Sequence, residues 1–232
     1  MTLSLIIPAH NEEKRILTSL SELTQLSENR DYEIIVVCNG CTDKTADIVR
    51  KKYAKNNKIK ICELQKPEKG GAILYGFEKA HGEILGFVDA DNPFGVNAIE
   101  KLVSEIKNGL ADCTIVSKWY LGSRFSNTPE SFRRKLGSLA WNLLVRLLLG
   151  LKVHDTQGGT KFMSKAAFDA IDKNFICKGF EFDVELLSKL KQKGFRIKEI
   201  HTPLRKPEST TFRASRIPAM FLNLIRLWLK SI

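Results

Sequence analysis

With 232 residues, 43% of them apolar and 27% charged, the chain is long enough to bury a full core and has the balance of a globular domain rather than a disordered or fibrous one. No apolar run reaches the roughly 18 residues of a bilayer-spanning helix, and the first, Leu3 to Ile7, is stopped by Pro8 instead of forming a secretory leader, so a cytoplasmic protein is expected. The net charge of +11 is concentrated in two segments, 118–152 with seven Lys/Arg against one acid and 191–232 with ten against two; sparse aromatic interleaving there argues for anionic partners other than nucleic acid.

Leu3–Ile7 reads as a strand closed by Pro-Ala-His-Asn-Glu-Glu, followed by helical spacing of Ile16, Leu20 and Leu23 over 12–27. A second strand, Tyr32–Val37, leads into the turn Cys-Asn-Gly-Cys-Thr-Asp and a helix over about 44–54 that Thr42 or Asp43 can cap. Ile59–Leu64 is a third strand, Gly70-Gly71 opens a helix to about Ala80, and Ile84–Val88 is a fourth strand. Beyond these the spacing predicts a helix over 96–109, a strand over Cys113–Ser117, a polar loop over 122–134 and an apolar helical stretch over 135–151. Next come a short element at Phe162–Met163, helices over 166–171 and 182–193, the latter ended by Gly194, and a strand over 196–201. Strands alternating with helices argue for an α/β fold whose mostly parallel central sheet carries helices on both faces. The loops after the first, second and fourth strands should then converge on one crevice.

Asp89 and Asp91 end the fourth strand. In an extended backbone that spacing puts both carboxylates on one side, where they repel unless they share a cation. All-oxygen ligands suit a hard ion such as Mg²⁺ or Mn²⁺, with open positions left for phosphate oxygens; the plainer alternative is an Asp-rich turn. Lys69-Gly70-Gly71, between strand and helix, suits a close anion or a simple turn. Glu12 suits either a base or ribose contact or the helix dipole. Five cysteines, an odd number, read as thiols of a reducing compartment; Cys38 and Cys41 form a C-x-x-C that no second pair completes into a zinc site.

Taken together, these segments resemble the family-2 inverting glycosyltransferases of GT-A fold over nearly the whole chain. Pro8-Ala9-His10-Asn11-Glu12 is similar to the family's opening element, Asp89-Ala90-Asp91 to its metal-binding Asp-x-Asp. Residues 38–43 stand where the family has Asp-Asp-Gly-Ser-x-Asp, so Cys38 and Asn39 replace an acidic pair that would meet the nucleotide base. Gly122-Ser123-Arg124, Arg133-Arg134 and Ser138 resemble the acceptor-phosphate elements of polyprenyl-phosphate sugar synthases, the dolichyl-phosphate mannose and glucose synthases among them. Asp155-Thr156-Gln157, Lys161-Phe162 and residues 182–187 look like the glucose-transferring branch, except for Gly158-Gly159.

The resemblance implies a GT-A-type domain over 1–212, with a nucleotide-sugar half over 1–117 and an acceptor half over 118–212, and an amphipathic helix over 213–232 that lies on a membrane or packs on protein. It implies transfer of a hexose from a nucleotide sugar of the UDP-glucose or GDP-mannose class to a polyprenyl phosphate, at the cytosolic membrane face, without nucleic acid. A soluble or polysaccharide acceptor, or a non-catalytic nucleotide-sugar-binding module, is the alternative. Asp89 and Asp91 would hold Mg²⁺ or Mn²⁺, which steadies a diphosphate leaving group. Pro8, Ala9, Glu12, Asn39, Lys69, Gly70, Gly71, Asp89 and Ala90 are expected around the donor. Arg124, Arg134, Ser138 and Arg213 are expected at the acceptor phosphate, where Arg forks offset its charge. Asp155, Gln157 and Asp183 are expected to position sugar or acceptor; Asp183 shares the apolar face of its helix, where a carboxylate needs a partner.

Overall fold

The structure, a computed structural model, describes residues 2–27, 31–117, 132–203, 205 and 217–231. Seven strands, β1 (Leu3–Ala9), β2 (Tyr32–Asn39), β3 (Ile59–Leu64), β4 (Ile84–Val88), β5 (Cys113–Ser117), β6 (Thr160–Ser164) and β7 (Ile197–His201), form one sheet in the order β3-β2-β1-β4-β6-β5-β7. All neighbours are parallel except β6, which runs antiparallel to both β4 and β5. The α/β expectation with a mostly parallel sheet is met. The short element read at Phe162–Met163 turns out to be a central strand. Its entry, Thr160-Lys161, is too polar to read as a buried strand from pattern alone.

Period-2 alternation divides the core. Leu5, Ile7, Ile34, Val36, Ile84 and Val88 face one side, beneath α1 (Ile16–Ser27), α2 (Thr45–Tyr53) and α4 (Val96–Lys107). Ile6, Ile35, Val37, Leu85 and Phe87 face the other, beneath α3 (Lys69–Lys79), α6 (Lys165–Asp169) and α7 (Phe182–Gln192). Two long helices, α5 (Phe132–Leu149) and α8 (Ile217–Ser231), close that second side through Val145, Leu149, Leu224 and Leu227. Strands buried on both faces carry near-continuous apolar runs for this reason.

Several local expectations shift. Asp43 is not the helix cap: α2 begins at Thr45, and Asp43 Oδ1 accepts from the Thr45 N–H (3.0 Å) and hydroxyl (2.5 Å) one step earlier. Gly194 does end α7, at φ +79, a left-handed value that glycine reaches without a Cβ penalty. Within the segment read as 213–232, the described helix Ile217–Ser231 packs one face onto the protein with Met220, Leu224 and Leu227 buried.

Because the chain passes from β1 outward to β3 and then returns to place β4 on β1's other flank, the strand order reverses between β1 and β4. Ligands of open α/β sheets bind beyond the carboxyl ends of the strands at such a point. The centre is tightly filled: a Cβ on Gly86 of β4 would lie 2.0 Å from the Phe162 ring of β6. Gly86→Ala should therefore destabilise the fold by about 1–3 kcal/mol in urea unfolding. The pair Gly86→Ala with Phe162→Leu should cost less than the two changes summed, and strict additivity would show that the ring is free to move aside.

Candidate active site

β4 ends at Val88, so Asp89 and Asp91 do not lie on an extended strand as their spacing suggested. Residues 89–92 fold into a turn instead, closed by the Asn92 N–H on the Asp89 carbonyl at 2.9 Å, with Asn92 at φ +41. The pair still arrives at the reversal point, by turn geometry rather than strand alternation. Asp89 Oδ1 lies 2.6 Å from the Lys69 ammonium at the start of α3, which also stands 5.9 Å from the Phe87 and Phe180 ring centres.

From β1, Glu12 reaches the same region. Burial pushes its carboxyl above the ordinary range; the Arg15 guanidinium, 2.7 Å away, opposes this, while Asp91 and Asp89 add to it. Three carboxylates thus feel one another across the crossover. Among the described residues no three His, Cys, Asp or Glu side chains converge into a closed metal cage. The arrangement fits an open site: hard oxygen donors, one of them already holding a cation, and coordination positions left for phosphate and water. Asp89 and Asp91 are the residues that would hold Mg²⁺ or Mn²⁺ there.

The β1 and β2 loops are sewn together. Asn11, at φ +56, accepts from the Thr42 N–H at 2.8 Å, Glu12 N–H donates to Thr45 Oγ1 at 2.8 Å, and Glu13 N–H donates to Asp43 at 3.1 Å. Asn39, 3% exposed, has an amide oxygen with no hydrogen-bond partner among the described residues, and its carbonyl meets His10 Nδ1 at 2.8 Å. A buried orphan acceptor is costly, and a ligand donor at this edge would relieve it. Pro8 and Ala9 form the buried end of β1 beside it, and Ala90 is buried in the Asp turn.

Gly70 and Gly71 do not offer their amides to a ligand. Both N–H groups donate to the Lys178 carbonyl, at 2.9 and 3.3 Å, and a Cβ on Gly70 would fall 2.5 Å from Phe182 Cβ. These glycines let α3 pack against α7, and the expectation of an anion at that helix end is corrected; Lys69 alone faces Asp89.

Asp155 is fully buried, and its Oδ1 accepts from the Gln157 N–H at 3.2 Å while its own N–H donates to Glu199 at 2.8 Å. It shapes the turn and leaves Gln157, half-buried, as the side chain at the edge. Asp183 is likewise withdrawn: its Oδ1 lies 2.6 Å from Lys161 Nζ, with the two side chains 3% and 0% exposed. Lys161 also donates to the Gly158 carbonyl at 2.6 Å and sits 5.4 Å from the Phe87 ring centre. Both carboxylates are buried and bonded to the protein, so each would position sugar or acceptor through Gln157 or Lys161 and not by direct contact. Ser138 on α5 is half-buried one turn before Asn142, whose Oδ1 accepts from the Thr156 N–H at 2.9 Å and ties α5 to this loop. Arg124 and Arg213 lie outside the described residues, as does the Arg134 side chain.

Two residues were named only through the family resemblance and given no role. Lys161 stood there as part of a matching Lys-Phe pair within a short apolar run. Gly159 gave no signal of its own: its carbonyl accepts from the Asp89 N–H at 2.9 Å, and a Cβ on it would overlap Asp89 Oδ2 at 1.7 Å.

The chain matches Glycosyl transferase family 2 over residues 4–172. It is 29% identical over 231 residues to the glycosyltransferase AglD of Haloferax volcanii, covering 97% of this chain and 36% of that protein. To the human dolichyl-phosphate beta-glucosyltransferase it is 31% identical over 207 residues, covering 80% of this chain and 61% of that one. The chain thus spans about a third of the first relative and under two thirds of the second. In structure it is similar to glucosyl-3-phosphoglycerate synthase of Mycobacterium tuberculosis in complex with Mn²⁺ and UDP-glucose, with a TM-score of 0.74 at 22% identity over 99% of this chain and 78% of that one. That likeness carries the fold.

Gly159→Ala should displace the Asp89 carboxylate without unfolding the sheet. Its thermal midpoint without ligand is expected to stay within a few degrees of the parent, by about 1 kcal/mol at most. The added stabilisation by Mn²⁺ with UDP in the same thermal-shift assay should disappear; retention of the full shift would show that Asp89 does not serve the ion.

Proposed function

The chain belongs to glycosyl transferase family 2, and on that premise we propose that it moves a hexose, with inversion, from a nucleotide diphosphate sugar to a polyprenyl phosphate at a membrane surface. The observation that carries the reading is the Asp89–Asp91 turn at the strand-order reversal, beside Glu12 and already gripping a cation through Lys69. When bound there, Mg²⁺ or Mn²⁺ supplies charge compensation to the departing diphosphate. Pro8, Ala9, Glu12 and the Asn39 amide, whose oxygen is unsatisfied, would line the place for the nucleoside, and Lys69, paired with Asp89, would reach a phosphate oxygen of the donor.

Inversion needs the acceptor oxygen to approach the anomeric carbon from the side opposite the diphosphate. A phosphate monoester with a second pKa of about 6 is mostly dianionic at neutral pH and needs no strong general base. It does need its charge offset, and Arg124, Arg134 and Arg213, with Ser138, are the groups assigned to that task. Gln157, held by the Asp155 turn, is assigned to the sugar. Relatives named as dolichyl-phosphate beta-glucosyltransferases support glucose and a lipid phosphate as the substrate classes.

The lipid acceptor is further supported by α5 and α8. Leu136, Leu143 and Leu147 form one exposed stripe on α5, and Phe221, Leu222 and Leu229 are exposed on α8 next to Arg226 and Lys230. Among the described residues no helix is long and apolar enough to cross a membrane. Such faces suit shallow contact with a bilayer, apolar side chains at the acyl boundary and cations toward anionic headgroups.

With Mn²⁺, radiolabelled UDP-glucose and a short polyprenyl phosphate in detergent, transfer to lipid is expected, and Asp91→Ala should lower it on the order of a hundred-fold. Transfer to a soluble acceptor that is indifferent to detergent and liposomes would overturn the lipid assignment, and unchanged activity in Asp91→Ala would overturn the site.

A further inference from the structure

Cys38 and Cys41 flank Asn39 and Gly40 at the end of β2, in the position where the family resemblance places an acidic pair. Gly40 adopts φ +61, and a Cβ on it would lie 2.8 Å from Pro67 N, so only glycine makes this turn. The turn folds the chain back until Cys41 Sγ lies on the carbonyl of Ala9, the β1 residue in register with Cys38, which brings Cys38, buried in the strand, and Cys41, partly exposed, side by side. Cys41 Sγ also receives the Asn11 N–H at 3.5 Å and, while protonated, donates to the Ala9 carbonyl at 3.3 Å. Among the described residues no third ligating side chain joins the pair, so the arrangement is not a soft-metal cage.

The environment divides the two sulfurs. The hydrogen bond from Cys38 is the largest influence on Cys41 and, with the Asn11 N–H and nearby His10, outweighs burial and the opposing Asp43 to bring its thiol down to about 6. Cys38, as the donor and the more deeply buried group, is held far above the ordinary range; Glu63 and Arg50 face it and pair with each other. One sulfur is therefore an accessible nucleophile at neutral pH and the other a protected thiol beside it, the division of labour that a C-x-x-C pair needs.

We propose that Cys38 and Cys41 are a redox-active dithiol that closes to a disulfide and, by closing, weakens nucleotide binding at the Asn39 loop. The second half rests on the donor-site reading given above. The Cys41 thiolate attacks one sulfur of a small disulfide oxidant such as oxidised glutathione. The oxidant's S–S bond breaks, and one glutathione leaves as thiolate and takes up a proton. Cys38 loses its proton to solvent and attacks Cys41 Sγ, and the second glutathione departs with the bonding pair, to be protonated in turn. Two electrons pass from the pair to the oxidant, which becomes two thiols; of the two protons these take up, one is released by Cys38 and the other comes from the solvent that already holds the proton of Cys41. Closure draws the sulfurs from hydrogen-bond contact to about 2.05 Å. It also removes the S–H that Ala9 accepts and turns the backbone on both sides of Asn39.

The test uses the full chain, treated with oxidised glutathione at pH 7, blocked with iodoacetamide and cut with trypsin. The peptide 31–44 holds both cysteines. It is expected two hydrogens lighter and unalkylated, and to revert with dithiothreitol; two alkylated thiols, or a glutathione adduct that never closes, would overturn the proposal. Cys38→Ala should trap the mixed disulfide on Cys41 and move the alkylation midpoint from near 6 toward the usual thiol value of about 8.5. A midpoint that does not move would remove Cys38 as the activating group. In calorimetry with Mn²⁺ and UDP, the disulfide form should bind about ten-fold more weakly, and Cys41→Ser should be insensitive to the oxidant. Equal affinity of both forms would overturn the gating while leaving the dithiol. Failure of the reduced chain to bind any nucleotide would instead overturn the donor reading, with the peptide masses still deciding the dithiol.

Discussion

Two carboxylates at the end of a buried apolar strand repel each other, and in this protein they stand beside a third. Every element around the crossover of β1 and β4 answers that concentration of negative charge. Lys69 places an ammonium on Asp89 at 2.6 Å, Arg15 places a guanidinium on Glu12 at 2.7 Å, and burial raises the Glu12 carboxyl so that it resists ionising. In the proposed donor site a divalent ion would offset these charges from one position, with phosphate and water completing its coordination.

Holding Asp89 where an ion can use it depends on a second, drier interaction. Lys161 and Asp183 are buried together, and a pair of that kind is poor at raising stability but expensive to break, about 3–5 kcal/mol when one partner is removed. What it fixes is geometry. Lys161 grips the Gly158 carbonyl, Gly159 accepts the Asp89 N–H, and the absence of a side chain on Gly159 lets the carboxylate lie against the backbone. A chain of contacts thereby runs from α7 through β6 to the acidic turn. The antiparallel insertion of β6 between β4 and β5 is what makes that chain possible, because it brings the start of β6 to the same edge as the end of β4.

The sheet was legible because β1, β2, β4 and β5 are buried on both faces and its helices carry clear 3.6-residue spacing. β1 through β5 appear in the sequence as apolar runs ended by turn residues, and each is found within two residues of its expected bounds. The acidic pair was legible too, as chemistry that an apolar strand end does not tolerate by accident. Its geometry was not: the i, i+2 argument assumes an extended chain, and the turn at Asn92 replaces it. Gly70 was misread for a related reason. A glycine that admits a ligand and a glycine that admits a neighbouring helix leave the same mark in a sequence, and only the 2.5 Å approach of Phe182 separates them. Asp155 and Asp183 were found as residues with a task, yet single-sequence reasoning cannot distinguish a carboxylate that faces a substrate from one that faces Lys161 or its own turn.

The departure in the β2 loop has a physical consequence that the acidic pair of the family would forbid. Carboxylates at positions 38 and 39 would keep this edge anionic and would suppress ionisation of any thiol nearby. With an amide at 39 and a thiol at 38, the edge is neutral, and Cys41 can carry the negative charge instead, stabilised by a donor that sits inside the strand. The amide also changes what the loop can read. A carboxylate accepts only, whereas Asn39 presents an acceptor that has no partner among the described residues together with an N–H₂ donor on the same plane. In the proposed donor site, base recognition would therefore rest on a group that can satisfy both a donor and an acceptor of one base edge, oriented by the same four-residue turn that joins the two cysteines.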